Sequence, residues 1–315
     1  MPAWPPAAAG GLPGLFVILT GTGELDLDFT IFGAAALNGV LMGGIYTLVA
    51  CGLTLIYGVL HIINFAHGSM LMLAMFGVYY LLMKAGVDPY LALVVMVPGM
   101  YALGYLMYRY LIGKLSLGRD ENILLITLGL SILVDNLALM FFKGDSRTIS
   151  LSYSDKMLEW GPLLVSVPKL ISFVAAMVLC VLLGLFIGRT DTGKAIRAVA
   201  RERMGARLVG IDVEKVFAIS FGIGLATLGA AACLLMPIFY VSPTIGNVFV
   251  IVAFTVVVLG GMGSFLGAVV GGLIVGLTES FGGLFLGESL GQIGISLIFI
   301  LILLFRPQGL FGAAR

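Results

Sequence analysis

The chain has 315 residues, of which 60% are hydrophobic and only 10% are charged, and its formal net charge is +1. Soluble domains carry about 25% charged residues, so most of this chain cannot face water. The balanced charge also argues against nucleic acid as a partner. The composition therefore predicts an all-α integral membrane protein that crosses the bilayer several times.

Residues 1–30 are interpreted as an irregular N-terminal leader. The first basic residue of the chain is Lys84, so the positively charged start of a secretory signal peptide is missing. Pro13 and Gly14 interrupt the short apolar stretch of this region. We predict that the leader is retained and that residues 31–315 form a single membrane domain.

Apolar segments of membrane-spanning length follow in series. A bilayer core is about 30 Å thick and needs about 20 apolar residues in a helix. The segments that approach this length are Phe32–Gly58, Gly68–Met83, Leu91–Leu111, Ile123–Phe142, Leu170–Gly188, Val216–Tyr240 and Gln292–Phe305. Together with the tract described next, they predict about eight transmembrane helices.

The apolar tract Val248–Phe281 is too long for one helix. Gly260, Gly261 and Gly263 stand near its middle, and they predict a broken helix or a division into two half-spans. Irregular backbone at membrane depth is tolerated only where protein or a water-filled cavity satisfies it.

The basic residues are divided unevenly between the two sides of the predicted spans. Of the 17 Lys and Arg residues, twelve fall on the side of the loop 189–215 and five on the other. Loops rich in Lys and Arg stay in the cytoplasm. We therefore predict an outside N-terminus and an inside C-terminus, which requires the glycine-broken tract to cross an even number of times.

The loop 189–215 contains a polar stretch, Thr190–Asp212, that predicts one surface helix. Asp191 or Thr192 would cap its start, and Gly210 would end it. A helical wheel gives it a weakly apolar face with basic residues on both shoulders. The face and its shoulders consist of Ala195, Ala198, Val199, Ala206 and Val209, with Lys194, Arg197, Arg201, Arg203 and Arg207. This face suits the groove of a soluble partner; a segment lying on anionic headgroups is the alternative.

Several motifs, in order along the chain, are similar to those of bacterial ABC permeases of the branched-chain amino-acid (LIV) type. The motifs are Gly52-Leu53-Thr54-Leu55-Ile56-Tyr57-Gly58, Ile63-Asn64-Phe65-Ala66-His67-Gly68, GKAIRAVA…ARLVGID in the loop, Val256-Val257-Val258-Leu259-Gly260-Gly261-Met262-Gly263-Ser264 and Phe305-Arg306-Pro307-Gln308-Gly309-Leu310-Phe311-Gly312. The match runs from about residue 33 to the end, and the motifs are highly specific when taken together.

The resemblance implies a permease subunit in the bundle fold of the second class of ABC importers, located in the bacterial inner membrane. It implies a second, related permease as partner, and therefore a heterodimer. Two ATPase subunits would bind the cytoplasmic loops, and a periplasmic binding protein would deliver the solute. The implied solute is leucine, isoleucine or valine, while urea, short amides and other amino acids remain open.

Within the loop, the resemblance points to a set of residues that couple the permease to the ATPase. They are Gly193, Arg197, Arg201, Ala206, Arg207 and Gly210. The family ordinarily carries Glu-Ala-Ala followed four residues later by Gly. Met204-Gly205-Ala206 stands in that place here, so the family's acidic residue has no counterpart.

No pattern for catalysis or for metal binding was found in the sequence. It contains no GxxxxGK[ST] phosphate loop, so we expect ATP to be bound by another polypeptide. It also shows no nucleophile with a base, no carboxylate pair and no cluster of histidines. We therefore expect no catalytic site, cofactor or metal in this chain.

A few polar residues lie where a solute pathway would run. Asn64 and His67 stand at the inner end of the first hairpin, where they either line a gate or cap and hold the next helix. Asp135 falls mid-span, where a carboxylate costs about 2.5–3.5 kcal/mol, so it faces either the pathway or a neighbouring helix. Glu279 and Glu288 are interpreted as boundary residues at the cytoplasmic ends of the late helices.

The sequence leaves two other classes of membrane protein as alternatives. A secondary transporter driven by an ion gradient would use a discontinuous helix at the midplane, which the tract 248–281 could supply. It would also need intramembrane coupling charges, and Asp135 alone is thin support for them. A membrane-embedded enzyme is disfavoured because the sequence lacks a catalytic set.

Overall fold

The computed structural model describes residues 25–116, 120–160, 163–287, 290–306 and 308–311. In this part the chain is an α-helical bundle with one β-hairpin. The helices are α1 Leu25–Leu60, α2 His67–Ala85, α3 Leu93–Met107, α4 Asp120–Phe142, α5 Val167–Arg189, α6 Asp191–Arg201, α7 Arg203–Leu208, α8 Val213–Leu235, α9 Ile245–Gly260, α10 Phe265–Leu286 and α11 Gly291–Phe305. The hairpin pairs β1 Met157–Trp160 with β2 Leu163–Ser166, antiparallel.

The predicted multi-span membrane protein is confirmed. Helices α1, α2, α4, α5, α8 and α10 are long and apolar enough to cross a bilayer, and α9 and α11 are shorter apolar helices. Helix α3 continues through a π-helical turn, Tyr108–Ile112, and a last turn, Gly113–Leu115. Nine helices thus run through the described bundle, against about eight predicted, because the glycine-broken tract supplies two.

The first helix begins before the predicted domain boundary at residue 31. Helix α1 starts at Leu25 and has 36 residues, about 54 Å at 1.5 Å per residue. This length exceeds the hydrocarbon core, so α1 extends beyond it. The predicted leader up to residue 24 lies outside the described residues.

Glycines bring α1 and α10 into close backbone contact. A Cβ atom added at Gly39 would lie 2.8 Å from Leu277 Cα, and one added at Gly43 would lie 2.8 Å from the Gly272 carbonyl oxygen. In lipid, hydrophobicity does not drive helices together, so close backbone packing must supply the attraction. We call the contact of Gly39 and Gly43 with Gly272 and Gly276 the α1–α10 seam.

Helices α1 and α8 form the buried centre of the bundle, while α4 and α5 lie at its periphery. A Cβ atom added at Gly52 of α1 would lie 2.7 Å from the Gly224 carbonyl oxygen of α8. In contrast, α5 exposes Val174, Val178 and Val181. Exposed apolar rows on a membrane helix face lipid or another chain.

The predicted break in the late tract is a tight turn between α9 and α10. Gly261 and Gly263 have φ angles of +98° and +85°, which side-chain-bearing residues rarely adopt. Ser264 then caps α10 by accepting a hydrogen bond from the Gly267 N–H at 3.1 Å. The tract therefore divides into two antiparallel helices of 16 and 22 residues.

The bundle has two chemically different ends. The basic end carries α6, α7, the last turn of α1 and the α9–α10 turn, where Gly263 packs beside Gly58. The mixed-charge end carries the β-hairpin, the start of α5 and the C-terminal end of α10. There Arg147 donates to the Tyr80 hydroxyl at 2.9 Å and to the Phe142 carbonyl at 3.0 Å, which holds the 143–156 segment against the bundle.

Candidate functional site

The polar segment at the basic end forms two short helices where one was predicted. Between α6 and α7, Glu202 has extended backbone (φ −156°, ψ 103°), and its carboxylate accepts from the Met204 N–H at 3.1 Å. Thr190, rather than Asp191 or Thr192, caps the start of α6. The kink at Glu202 ends the first helix and caps the second.

The kink also changes which side chains of this segment face outward. Ile196, Val199 and Ala206 are buried, whereas Ala198 is exposed and Val209 is 76% exposed. Part of the predicted docking face therefore packs against this chain's own bundle. The helical wheel was wrong here because α6 and α7 do not share one axis.

Helix α7 presents an apolar patch at the basic end. Met204, Leu208 and Val209 are 64%, 83% and 76% exposed, and we call these three residues the α7 patch. Arg201 and Arg207 beside it are exposed as well. Large exposed apolar side chains that are rimmed by charge mark surfaces for protein interaction.

The predicted coupling residues divide into two groups. Gly193 lets α6 fold back onto the end of α5, since a Cβ atom added there would lie 2.6 Å from the Phe186 carbonyl oxygen. Arg197 donates to the Ile187 carbonyl. Gly210, with φ +86°, reverses the chain after α7. These three residues shape the segment.

The other predicted coupling residues differ in exposure. Ala206 is a residue of α7, and its side chain is buried. Arg201 is exposed, and so is Arg207, which forms only a long ion pair of 3.9 Å with Glu214. Nearby, the Lys194 ammonium hydrogen-bonds the exposed Asp191 carboxylate at 2.9 Å, which holds the pKa of Asp191 below its usual range.

Arg203 is an anchor that sequence reasoning did not select. Its guanidinium donates to the Leu60 carbonyl at the end of α1 and lies 5.2 Å from the centre of the Phe217 ring on α8. Helix α7 is thereby tied to both central helices. The helical wheel gave Arg203 no special place, because only the kink turns it inward.

Asn64 and His67 are buried in the connection between α1 and α2. The Asn64 Oδ1 accepts from the Ala66 N–H at 3.1 Å, and the His67 Nε2 donates to the Val49 carbonyl of α1 at 3.0 Å. Neither residue lines the two cavities described below. Their contacts favour packing, and a pathway role stays a prediction.

Asp135 lies half-buried on the peripheral helix α4. It faces Ser69 of α2, whose hydroxyl lies 2.8 Å from that of Ser131. It lines neither of the two cavities. The Asp135 Oδ1 atom is buried without a hydrogen-bond partner among the described residues, so a bond to the neighbouring helix and a place in the pathway both stay predictions.

A cavity of about 600 Å³ opens at the basic end, between α1, α6 and the α9–α10 turn. Two predicted coupling residues, Arg197 and Arg201, line this cavity together with Met262 and Gly263 of the α9–α10 turn. Its lining residues are Tyr57, Gly58, His61, Arg197, Ala198, Ala200, Arg201, Met262 and Gly263.

A larger cavity of about 720 Å³ lies at the mixed-charge end, between α1, α5 and the C-terminal half of α10. We call it the outer cavity. It carries two opposite charges, Lys169 and Glu279, on a largely apolar wall. The full lining is Ile31, Ala34, Ala35, Asn38, Met42, Tyr46, Lys169, Ile238, Phe239, Gly276, Glu279, Ser280, Gly283, Leu284 and Gly291.

Both charges of the outer cavity are held by polar side chains of α1. The Tyr46 hydroxyl donates to the Glu279 carboxylate at 2.5 Å, and the Lys169 ammonium donates to the Asn38 side-chain oxygen at 2.7 Å. The prediction that Glu279 lies at a helix boundary is wrong. Helix α10 continues for about two turns beyond it. Glu288 lies outside the described residues.

An aromatic cluster lies beneath the outer cavity. The rings of Tyr46 and Phe249 pack edge to face with centroids 6.2 Å apart, and Phe239 packs on Phe249 at 5.6 Å. Tyr46 and Phe249 are only 3% and 2% exposed. This cluster closes the deep side of the cavity.

Comparisons with known proteins agree on one family. The model of the branched-chain amino acid transport system permease component matches residues 35–305. The high-affinity branched-chain amino acid transport system permease protein BraD of Pseudomonas aeruginosa is 32% identical over 87% of this chain and 94% of BraD. The corresponding LivH protein of Escherichia coli K12 is 30% identical over 90% of this chain and 97% of LivH.

A more distant relative and one solved structure were also found. A probable LivH of Methanocaldococcus jannaschii is 28% identical over 87% of this chain and 91% of its own length. The structure of PsaBC from Streptococcus pneumoniae in complex with Fab gives a TM-score of 0.49 at 17% identity, over 90% of this chain and 94% of that chain. A likeness at that level carries no conclusion.

Proposed function

Because this chain belongs to the family of permease components of branched-chain amino acid transport systems, we propose that it is the membrane subunit of an ATP-driven importer of leucine, isoleucine and valine. Its relatives are transport permeases rather than enzymes. As a multi-pass member of an ABC permease family, it works with other ABC components.

The α7 patch is the observation that supports this function best. An ATPase subunit would cover Met204, Leu208 and Val209, which are otherwise exposed to water at the end of the bundle. Arg201 and Arg207 would lie at the rim, where charge sets orientation and the rate of association more than affinity. The basic end is then cytoplasmic, in agreement with the excess of Lys and Arg there.

Arg203 supplies a route from this patch into the membrane. It joins α7 to the last carbonyl of α1, and α1 is packed along α10 through the α1–α10 seam. A displacement of α7 by the ATPase would therefore act on α1 directly. The other end of the same helix pair lines the outer cavity.

A second permease subunit would complete the pathway. The outer cavity and the basic-end cavity share no lining residue, and the α1–α10 seam lies between them. A route that joins the two cavities would then run along a boundary with another chain. We propose a related permease in that position and a periplasmic binding protein at the mixed-charge end.

The secondary-transporter alternative loses its main support. Its appeal was a helix discontinuity at mid-membrane, but the turn at Gly261 and Gly263 lies at the basic end, beside Gly58. One helix lies on each side of this turn, α9 with 16 residues and α10 with 22 residues.

Purification of the tagged chain in mild detergent, followed by reconstitution, tests the proposed function. We expect two ATPase subunits and a second permease to co-purify at fixed stoichiometry. The reconstituted complex should take up leucine only with ATP and a binding protein. A chain that purifies alone and drives gradient-dependent uptake without ATP would contradict the proposal.

A further inference from the structure

The outer cavity is lined by two charged side chains, Lys169 and Glu279. Glu279 lies within a helix long enough to cross the membrane, and Lys169 lies in the first turn of another. A charged residue inside a membrane helix is costly to keep, and it usually marks a pathway or a site. Both residues face the cavity, in contrast to the exposed arginines of the basic end.

The two opposite charges bond side chains of α1 that are eight residues, or about 12 Å, apart: Lys169 bonds Asn38 and Glu279 bonds Tyr46. Ser280, the neighbour of Glu279, donates its hydroxyl to the Ala35 carbonyl at 2.7 Å. Asn38, which holds Lys169, follows Ala35 by three residues, or less than one helical turn. The acidic and basic groups therefore face one stretch of the cavity.

The rest of the lining is largely apolar. Met42 lies on α1 between Asn38 and Tyr46, Phe239 belongs to the aromatic cluster, and Leu284 lies on the α10 wall. Gly283 contributes no side chain to the α10 wall. The cavity thus combines one positive group, one negative group and an apolar surface within about 720 Å³.

We propose that the outer cavity binds a free α-amino acid as its zwitterion, with the carboxylate at Lys169, the ammonium at Glu279 and an apolar side chain against Met42 and Phe239. This inference rests on the proposed function for the kind of side chain that is bound. It assigns part of the solute selection to the permease itself. The delivered solute is recognised a second time before it crosses.

Recognition of this kind rejects molecules that lack either charge. An oxo acid offers no cation to the Glu279 carboxylate, and an amine offers no anion to Lys169. Sites built to pair a polar group discriminate strongly against analogues that lack its partner. The competing explanation is that Lys169 and Glu279 only hold α5 and α10 against α1.

The test uses thiol protection in the complete complex, held in nanodiscs without ATP. Ala34 lines the cavity and is exposed, whereas the three native cysteines are buried. In Ala34→Cys, leucine at ten times its Kd should slow labelling by a small methanethiosulfonate about tenfold, by mass action. Ala198→Cys at the basic-end cavity is the matched control, and leucine should not change its labelling.

Analogues and charge variants separate recognition from structural support. We expect 3-methylbutylamine and 4-methyl-2-oxopentanoate to give no protection at the same concentration. Glu279→Gln and Lys169→Gln should each weaken protection by leucine at least about 30-fold, since each leaves one charge of the zwitterion unpaired. Co-purification with the other subunits shows that a variant is folded. If a charge variant does not assemble, the comparison of leucine with the two analogues in Ala34→Cys alone tests the proposed site.

The outcomes distinguish this inference from the proposed function. Protection by leucine alone among the three compounds supports the site. Equal protection by the amine or the oxo acid overturns it, as does an absence of protection in a complex that imports leucine. Protection by amino acids in a complex that does not import leucine supports the site and overturns the proposed solute.

Discussion

The two ends of the bundle use charged residues in opposite ways. At the basic end, Arg201 and Arg207 are exposed and surround an apolar patch. At the mixed-charge end, Glu279 and Lys169 line a cavity and are held by α1. The same residue types therefore form a docking rim at one end and a candidate binding site at the other.

The energetics of the two ends differ for the same reason. An exposed pair such as Arg207 and Glu214, 3.9 Å apart, contributes about 0–1 kcal/mol because water screens it. A carboxylate in the bundle wall loses hydration that only good hydrogen bonds and nearby charges offset. Glu279 keeps such a bond from Tyr46. Substitutions at the basic end should therefore affect coupling, and those at the outer cavity should affect recognition.

The largest effect is expected where the two ends are joined, at the α1–α10 seam. Gly43→Ala places a Cβ atom 2.8 Å from the Gly272 carbonyl oxygen and from Leu273 Cα, so the helices must separate. We expect a loss of about 1–3 kcal/mol of stability from overpacking. Thermal unfolding followed by size-exclusion chromatography measures this loss.

Gly129→Ala on α4 is the matched control, because a Cβ atom there meets nothing within 4 Å. Because alanine has a better helix propensity than glycine, this substitution should leave the stability unchanged or raise it by up to about 1 kcal/mol. Equal destabilisation by the two substitutions would show that the seam is not specially tight.

The next effect is expected at the α7 patch. The double variant Met204→Ser and Leu208→Ser removes the apolar contact proposed for the ATPase. Truncation of central interface side chains often costs 2 kcal/mol or more, so uptake should fall about 30-fold or more. Leucine uptake by the reconstituted complex measures it. Leu115→Ser, 54% exposed at the same end, is the control and should leave uptake near normal.

Arg203 and Arg207 give a sharper comparison within one short helix. Arg203→Ala removes a charged hydrogen bond to the Leu60 carbonyl and a contact with Phe217, worth about 1.5–3 kcal/mol together. Arg207→Ala should cost no more than about 1 kcal/mol. The ratio of ATP hydrolysed to leucine imported should rise for Arg203→Ala only. An equal rise for both would mean that rim charge, and not the link to α1, carries the coupling.

A smaller effect is expected for Asp135, which faces Ser69 and Ser131 between α2 and α4. Asp135→Asn keeps the hydrogen-bonding capacity, so uptake should stay within about twofold of normal, the spread of a neutral substitution. Initial rates of leucine uptake check this. Loss of uptake in a variant that still assembles would contradict this expectation and would indicate that Asp135 lines the solute pathway.

The smallest effect is expected for Asp191, which is fully exposed. The hydrogen bond from Lys194 lowers the pKa of Asp191 in the folded chain. Any stabilisation of the fold by this pair is therefore present above the pKa of Asp191 in the unfolded chain. It is lost as the pH falls through the pKa of Asp191 in the folded chain. Solvent screens this pair. Asp191→Asn should therefore unfold at the same temperature as the parent chain at both neutral and acidic pH. A shift at neutral pH alone would show that the pair matters.

Much of the fold followed from the sequence because the bilayer imposes it. Each helix must satisfy its own backbone in lipid and bury about 20 apolar residues, so the spans could be predicted from hydropathy. Glycines at 261 and 263 gave the division of the late tract. The β-hairpin was not predicted, because its strands are only four residues long.

The parts that were missed depend on contacts between distant segments or on local hydrogen bonds that interrupt a helix. Glu279 stands near the end of an apolar tract in the sequence, but the helix continues to Leu286, and its place is set by contact with Tyr46, 233 residues away. The kink at Glu202 depends on local capping that competes with a continuous helix. Neither feature has a periodic signal that a sequence pattern could reveal.

Cross-linking from Leu208 tests most directly whether the α7 patch receives an ATPase subunit. The complete complex with Leu208→Cys is treated with a short cross-linker that reacts with a thiol at one end and an amine at the other. The cross-link should join this chain to the ATPase and stop ATP-driven leucine uptake. Met140→Cys on α4, with a side chain that is 66% exposed in the parent chain, should not form this product. A complex that imports leucine at the normal rate while Leu208→Cys joins only lipid, or nothing, would contradict the proposed coupling surface.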